Sequence, residues 1–169
     1  LLKRYGESTG KICMSVFPAS QPHNIRHRVM DVGVGQSRGV LCTAHYLIGD
    51  ATTRIIFTTT SGELATYSRD YDFRNDTISE RREVFLRTEE GDVRLNNASY
   101  KAYLAKLGLA VESNQAPIIN KVTRYNGELY TAVSVDATGY PILCKINGNV
   151  LEPFAICPEP MTYEFRYFI

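Results

Sequence analysis

The stretch PILCKINGNVLEPFAI, residues 141–156, decides the fold class of this chain. Two apolar runs, residues 141–146 and 150–156, flank the dipeptide Asn147-Gly148. Asn-Gly between two strand patterns is a specific sign of a β-hairpin, because both central residues of a type I′ turn take positive φ. The stretch therefore predicts two antiparallel strands joined by a tight turn.

Strand patterns of the same kind extend from this hairpin toward the N-terminus. Asn126-Gly127 predicts a second hairpin, and Ser61-Gly62 predicts another in the first half of the chain. Tyrosine, phenylalanine and β-branched residues, which favour strands, fill these runs. The predicted strands lie at residues 11–17, 28–34, 39–43, 53–59, 64–67, 83–87, 118–125, 128–135, 141–146 and 150–156.

One short helix completes the predicted architecture. Residues 100–108 place apolar side chains on one side and end at Gly108. No helix separates successive strands, so we expect antiparallel sheets. The predicted fold class is all-β, with two six-stranded antiparallel barrels that leave no open strand edge. A polar joint divides an N-terminal barrel, residues 1–82, from a C-terminal barrel, residues 83–169.

The composition limits the function classes. The chain of 169 residues has 19 basic and 18 acidic side chains, so no overall field attracts nucleic acid or an anionic membrane. No apolar run approaches the roughly 20 residues that a membrane-spanning helix needs. The four cysteines form no Cys-x-x-Cys pair and have no histidine at metal-ligand spacing. We expect free thiols in a reducing compartment, although an even count leaves disulfides open, and no metal or organic cofactor.

Three segments carry residues suited to hydrolysis. His45 stands at the end of an apolar strand pattern, whereas His23 and His27 lie in a polar loop. Asp72 directly precedes an apolar residue in the segment YDFRNDTI at residues 71–78. The third segment, VDATGYPIL at residues 135–143, runs from a small polar cluster through a glycine and a proline into a strand, and it contains no serine or cysteine.

In this order, the three segments resemble chymotrypsin-like proteases of positive-strand RNA viruses, of the picornavirus, nidovirus and astrovirus main-protease type. Thr43-Ala44-His45 is similar to the histidine motif of that family, and Asp72 is similar to its acid, ahead of Asp76 and Asp70. The resemblance implies that His45 acts as the general base and that Asp72 orients its imidazole.

The same resemblance leaves the nucleophile missing. One register puts Ala137 at the nucleophile position and another puts Thr138 there, and the chain spacing does not choose between them. Backbone N–H groups of Ala137, Thr138 and Gly139 would form the oxyanion hole. Val133 and Cys157 would contact substrate. Since Cys157 stands where picornavirus and coronavirus proteases have a histidine that reads glutamine or glutamate, the resemblance implies a less polar pocket.

The implied function is a cysteine or serine endopeptidase that processes a viral polyprotein in the host cell cytoplasm. With alanine at position 137, this chain is expected to be a disabled form that still binds polypeptide substrate against strand edges of the C-terminal barrel. Catalysis by Thr138 is one alternative. Another is a natural pseudoprotease that binds a protein, or RNA weakly, through Arg26-His27-Arg28 and Arg81-Arg82. In a third, a structural β-domain, His45 and Asp72 would never meet.

Overall fold

β-Strands make up most of the structure. This computed structural model describes residues 2–4, 11–31, 39–119, 121–135 and 139–160, which contain fifteen strands and one helix, so the all-β class is confirmed. The elements are β1 (Leu2–Arg4), β2 (Lys11–Val16), β3 (Arg26–Asp31), β4 (Val40–Leu47), β5 (Thr52–Thr59), β6 (Thr66–Asp72), β7 (Thr77–Ile78), β8 (Arg82–Glu83), β9 (Phe85–Thr88), β10 (Gly91–Arg94), α1 (Asn97–Ala105), β11 (Ile118–Ile119), β12 (Thr123–Tyr125), β13 (Glu128–Ser134), β14 (Ile142–Asn147) and β15 (Val150–Ile156).

The strands form three sheets. The first has the order β1-β2-β3, and the second has the order β4-β5-β6-β7 with β8 paired to β6. The third has the order β10-β9-β15-β14-β13-β11, with β12 paired to β13. The sheets form a half-barrel, and no ladder among the described strands joins β10 to β11. The chain passes from the second sheet to the third at Val84, and the division into domains at residue 82 stays a prediction.

One ladder of the third sheet is parallel. Strand β15 runs parallel to β9, with Val150 opposite Phe85 and Leu151 opposite Leu86. The amide of Phe85 also donates a hydrogen bond of 2.8 Å to the carbonyl of Asn149. The prediction of antiparallel pairing throughout is wrong here, because β9 and β15 are distant in sequence and no turn constrains their relative direction.

Strand β5 lies between the two hydrophobic cores. Ile55 and Phe57 belong to a first core with Ile12 and Met14 of β2. Ile56, which points to the other face, belongs to a second core built mainly from the third sheet and α1. Every residue from Thr53 to Thr59 is buried, and this explains why the strand shows no alternation; its buried residues are isoleucine, phenylalanine and threonine together with Arg54.

The two predicted Asn-Gly hairpins form, but with different turns. Asn126 and Gly127 have φ values of 48° and 80°, as a type I′ turn requires. In the other hairpin Asn147 pairs with Val150, so the central residues are Gly148 and Asn149. Of these only Gly148 has positive φ, 60°, which is the pattern of a type II′ turn. The hairpin of residues 141–156 is confirmed, and its predicted turn type is wrong.

The helix begins one turn before the predicted start. Asn96 caps α1, since its side chain accepts a hydrogen bond of 2.9 Å from the amide of Ser99, and the Ser99 hydroxyl accepts one from the Asn96 amide. Tyr100 and Leu104 are the buried residues of the helix. Gly108 follows with a φ of 77°, which agrees with the predicted termination.

Candidate functional site

His45 points away from the second core. It lies opposite Ile55 in the β4–β5 ladder, and Ile55 lies opposite Arg69 in the β5–β6 ladder. Directly opposed residues share a face of a sheet, so His45 is on the face that covers the first core. Its side chain is exposed, and no hydrogen bond joins it to another described residue.

A β-bulge determines this orientation. The β4–β5 register shifts between Cys42 and Ala44, so that Ala44 opposes Ile56. An unbroken ladder would have placed His45 opposite Arg54, on the other face of the sheet. The extra residue therefore turns the imidazole toward the first core and leaves Ala44 in the second.

Asp72 caps its own turn. Its carboxylate accepts hydrogen bonds from the backbone amides of Arg74 and Asn75, at 2.8 and 2.9 Å, and from Asn75 Nδ2 at 3.0 Å. The hydrogen bonds from Asn75, and then that from Arg74, lower the pKa of Asp72. The Asp72 carboxylate therefore stabilises the turn that follows it at residues 73–76.

The structure does not bring His45 and Asp72 together. Asp72 is opposite Thr52, three residues along β5 from the position opposite His45. With strands about 4.8 Å apart and a rise of about 3.3 Å per residue, their Cα atoms are roughly 14 Å apart. The odd offset also places them on opposite faces of the sheet. This is the arrangement expected for a structural β-domain, and the role of Asp72 as a triad acid stays a prediction without support from the geometry.

The two less favoured aspartates are engaged in ion pairs. Asp70 accepts hydrogen bonds from Arg54 and Arg82; burial opposes its ionisation, but these two cations outweigh burial and lower its pKa. Asp76 accepts hydrogen bonds from Arg28 and from the Tyr71 hydroxyl, and these lower its pKa to about 2. Neither aspartate is bonded to a histidine among the described residues.

The proposed nucleophile loop is framed on both sides by tight packing. Residues 136–138 lie outside the described residues, so the roles expected of Ala137 and Thr138 stay predictions. Val135 and Gly139, which flank them, are buried. A Cβ atom on Gly139 would lie 2.7 Å from Val135 Cγ2 and 2.8 Å from the Tyr100 hydroxyl.

Tyr100 anchors the chain after the loop. Its hydroxyl donates a hydrogen bond of 2.6 Å to the carbonyl of Tyr140. Gly139 therefore has a packing role, because only a residue without a side chain allows α1 to approach this closely. A role of the Gly139 amide in an oxyanion hole stays a prediction.

The two predicted substrate contacts differ in exposure. Val133 is fully buried in the second core with Ile142, where a substrate side chain does not reach it. Cys157 is half-buried with a free thiol, and its amide donates a hydrogen bond of 2.9 Å to the carbonyl of Pro141. Its contact with substrate stays a prediction.

A groove of about 440 Å³ opens beside His45. It lies between β2, the first residue of β3 and the first-core face of β4 and β5, and we call it the His45 groove. Its lining is mainly apolar, with one arginine, one histidine and no acidic residue: Met14, Ser15, Val16, Phe17, Pro18, Arg26, His45, Thr53, Ile55 and Phe73.

A second depression lies on the outer face of the third sheet. Phe154 is the extra residue of a bulge in β15, because Pro153 opposes Cys144 and Ala155 opposes Leu143. The bulge turns Phe154 outward, 61% exposed, with its ring edge-to-face against Tyr130 at 5.9 Å. The pocket beneath it, about 140 Å³, is the Phe154 pocket, lined by Lys121, Thr123, Tyr130, Thr131, Ala132, Leu143 and Phe154.

Sequence reasoning missed the Phe154 pocket. The available signal was Pro153 inside a strand pattern, because proline in a strand indicates an edge or a bulge. A bulge commonly redirects a side chain at a functional surface.

Three cysteines with free thiols lie in the described part of the chain. Cys13, Cys144 and Cys157 are free, and burial raises the pKa of the Cys144 thiol to about 12. Within residues 11–31, 39–119, 121–135 and 139–160, no three potential ligand side chains are grouped for a metal ion. The only helix in that part of the chain is too short and too polar to cross a bilayer.

Comparisons with protein-family models, with curated proteins and with solved structures give no match. The resemblance to chymotrypsin-like proteases therefore rests on the three sequence motifs at His45, Asp72 and residues 135–143.

Proposed function

We propose that this chain is a β-domain that binds an extended polypeptide on the outer face of its third sheet and does not cleave it. The observation that carries the proposal is the Phe154 pocket. A large aromatic side chain held outward by a bulge and supported by Tyr130 is a rigid, amphipathic anchor for a partner side chain.

The strand beside the pocket supports an extended partner. In the described part of the chain, β12 pairs with β13 alone, and all three of its residues are exposed. Thr123 of β12 also lines the Phe154 pocket. A polypeptide added to this edge would gain main-chain hydrogen bonds from β12 and could insert a side chain beside Phe154.

Three observations support binding without cleavage. Ala137 provides no nucleophile in one of the two registers of the sequence motif. The Asp72 carboxylate is used in its own turn. The bulge in β4 directs His45 to the face of the sheet opposite Asp72. A chain with these features can hold a polypeptide, but it lacks an assembled base and acid.

The binding proposal is tested with β-casein, an unfolded polypeptide, immobilised on a biosensor surface. We expect the chain to bind casein and Phe154→Ala to weaken binding by about tenfold or more, as loss of an interface anchor does. Leu107→Ala is the matched control, since Leu107 is a similarly exposed apolar residue, 54%, that does not line the pocket. Equal weakening by both variants, or no casein binding by the parent chain, would sink the proposal.

A second candidate is the disabled endopeptidase of a viral polyprotein. The second core favours this candidate. Ala44 directly precedes His45, Val135 directly precedes residues 136–138, and both Ala44 and Val135 are buried in that core. This candidate includes the finer fold of two closed six-stranded barrels and a His45 side chain turned toward the loop. It predicts that Ala137→Ser or Ala137→Cys cleaves casein and that His45→Gln abolishes the cleavage; intact casein argues against it.

RNA binding and a host-cytoplasmic location stay predictions. In the basic clusters proposed to contact RNA, Arg28 is paired with Asp76, Arg82 is paired with Asp70, and Arg81 lies 4.5 Å above the Tyr67 ring. These intramolecular contacts give the arginines structural roles, and such paired cations contribute less to phosphate binding than free ones.

A further inference from the structure

We propose that the His45 groove binds a molecule that combines an apolar body with one carboxylate. A polypeptide carboxyl end with a large apolar side chain and a medium-length fatty acid share this chemistry. The inference goes beyond the polypeptide surface proposed above, because the groove is built from β2 to β5 and Phe73, whereas the Phe154 pocket belongs to the third sheet.

The size and lining of the groove suit such a ligand. About 440 Å³ lies within the range of roughly 300–1,000 Å³ that is typical of small-molecule sites. Met14, Val16 and Ile55 supply an apolar floor from two different sheets. The Phe73 side chain closes one side, held by edge-to-face contact with Tyr71 at 5.5 Å. An aliphatic or aromatic body gains free energy by leaving water for this surface.

The charges at the groove favour an anion. Arg26 and His45 line it, and no acidic residue does. The nearby Asp76 carboxylate is occupied by Arg28 and the Tyr71 hydroxyl. Arg26 makes one hydrogen bond to a described residue, 3.4 Å from Nη2 to the carbonyl of Phe73, which is long for this type of bond, and its charge also interacts with Asp76. Its guanidinium therefore keeps donors for a ligand.

The identities of the two polar groups favour a carboxylate among anions. A guanidinium presents paired N–H groups that match the two oxygens of a carboxylate. The imidazole of His45 has an N–H donor in either neutral tautomer, and no described residue accepts a hydrogen bond from it. The β4 bulge that removes His45 from Asp72 is the feature that places its side chain in this groove.

Calorimetric titration with N-acetylphenylalanine and with N-acetylphenylalanine amide tests the proposal, because the two probes differ in the carboxylate alone. We expect the carboxylate to bind about tenfold tighter or more, as loss of a charge-assisted pair predicts. Arg26→Gln should reduce its affinity to that of the amide. Arg74→Gln is the matched control, an exposed arginine beside Phe73 that does not line the groove and should leave the preference unchanged.

Magnetic resonance signals of the histidine rings show where the ligand binds. The chain has three histidines, so the ring resonances of His45 can be assigned with a His45→Gln variant and followed during titration. We expect the carboxylate to shift the His45 signals and to leave those of His23 unchanged. Decanoate in a parallel titration distinguishes the sources: if decanoate alone binds, the ligand is a fatty acid, and if N-acetylphenylalanine binds as well, chain ends are included. Equal affinity for carboxylate and amide, or binding of neither carboxylate, would overturn the proposal.

Discussion

Gly139 lies close against Val135 and against Tyr100 of α1. Because a Cβ atom there would lie 2.7 Å from Val135 Cγ2 and 2.8 Å from the Tyr100 hydroxyl, Gly139→Ala forces an overpacked site. We expect a loss of about 1–3 kcal/mol in the free energy of unfolding, measured by urea denaturation. Gly49→Ala is the control, since nothing lies within 4 Å of a Cβ atom at Gly49.

A double-mutant cycle tests whether Tyr100 is the residue that crowds a side chain at Gly139. Tyr100→Phe alone removes the hydrogen bond to the Tyr140 carbonyl, at a cost of about 1 kcal/mol. It also removes one of the three atoms that lie within 3.0 Å of a Cβ at position 139. The combined variant should therefore lose less stability than the sum of the two single variants. Strict additivity would show that Tyr100 is not the residue that Gly139 accommodates.

Asp76 makes stability depend on pH in the acid range. Hydrogen bonds from Arg28 and Tyr71 lower its pKa from 3.8 to about 2, so the unfolded chain takes up a proton at a higher pH than the folded chain does. The stabilisation is complete above pH 4 or so and is lost as pH falls through about 2. Asp76→Asn, which tolerates the φ of 55°, should lower Tm at pH 5 and lose that difference near pH 2.

Asp50 provides the control for that titration. Its side chain is exposed and has no hydrogen-bond partner among the described residues, so Asp50→Asn should leave Tm unchanged at both pH values. A difference between parent and Asp76→Asn that persists at pH 2 would show that the carboxylate charge is not responsible.

Among the secondary-structure elements, α1 begins at a local signal in the sequence, the capping residue Asn96. Asn96→Ala removes the acceptor for the Ser99 amide and should cost about 1 kcal/mol in the free energy of unfolding. Asn96→Asp keeps an acceptor at the cap and should retain full stability. Urea denaturation measures the stability of both variants. Equal stability would show that the side-chain acceptor at position 96 does not stabilise the helix.

Local signals predicted most elements, and non-local pairing limited the rest. The hairpins at Asn126-Gly127 and residues 141–156 were identified because a turn residue and its flanking strands are adjacent in sequence. The first turn of α1 was missed, although Asn96 and Ser99 form a recognisable capping pair. The parallel ladder between β9 and β15 has no local signal, since it pairs residues that are 65 positions apart in the sequence.

The candidate site was less predictable than the fold because it depends on strand register. A single inserted residue near Thr43 determines which face of the sheet receives His45. His45 and Asp72 follow each other in the order that the protease motifs require. The order of residues along the chain carries no information on the bulge in β4. The same limitation applies at Phe154, where a bulge exposes an aromatic residue that alternation alone would not identify.

At the scale of the whole molecule, Arg54 ties the second sheet to the third. Its guanidinium bonds both carboxylate oxygens of Asp70 and donates to the carbonyl of Gly148 at 2.9 Å. Since the side chain is only 10% exposed, Arg54→Gln should cost about 3 kcal/mol in the free energy of unfolding. Arg82→Gln removes a more exposed partner of the same carboxylate, 42%, and should cost about 1 kcal/mol or less. Equal losses would show that the link to Gly148 adds nothing.

We propose that this chain binds a polypeptide without an assembled catalytic triad. Acylation of Ala137→Cys by p-nitrophenyl acetate tests this most directly. The unmodified chain, with its half-buried Cys13 and Cys157, gives the background rate of acylation. We expect the Ala137→Cys chain to release p-nitrophenolate with no fast burst and at a rate that His45→Gln does not change. A burst of about one equivalent per chain that His45→Gln abolishes would contradict the account and show that His45 activates a nucleophile at position 137.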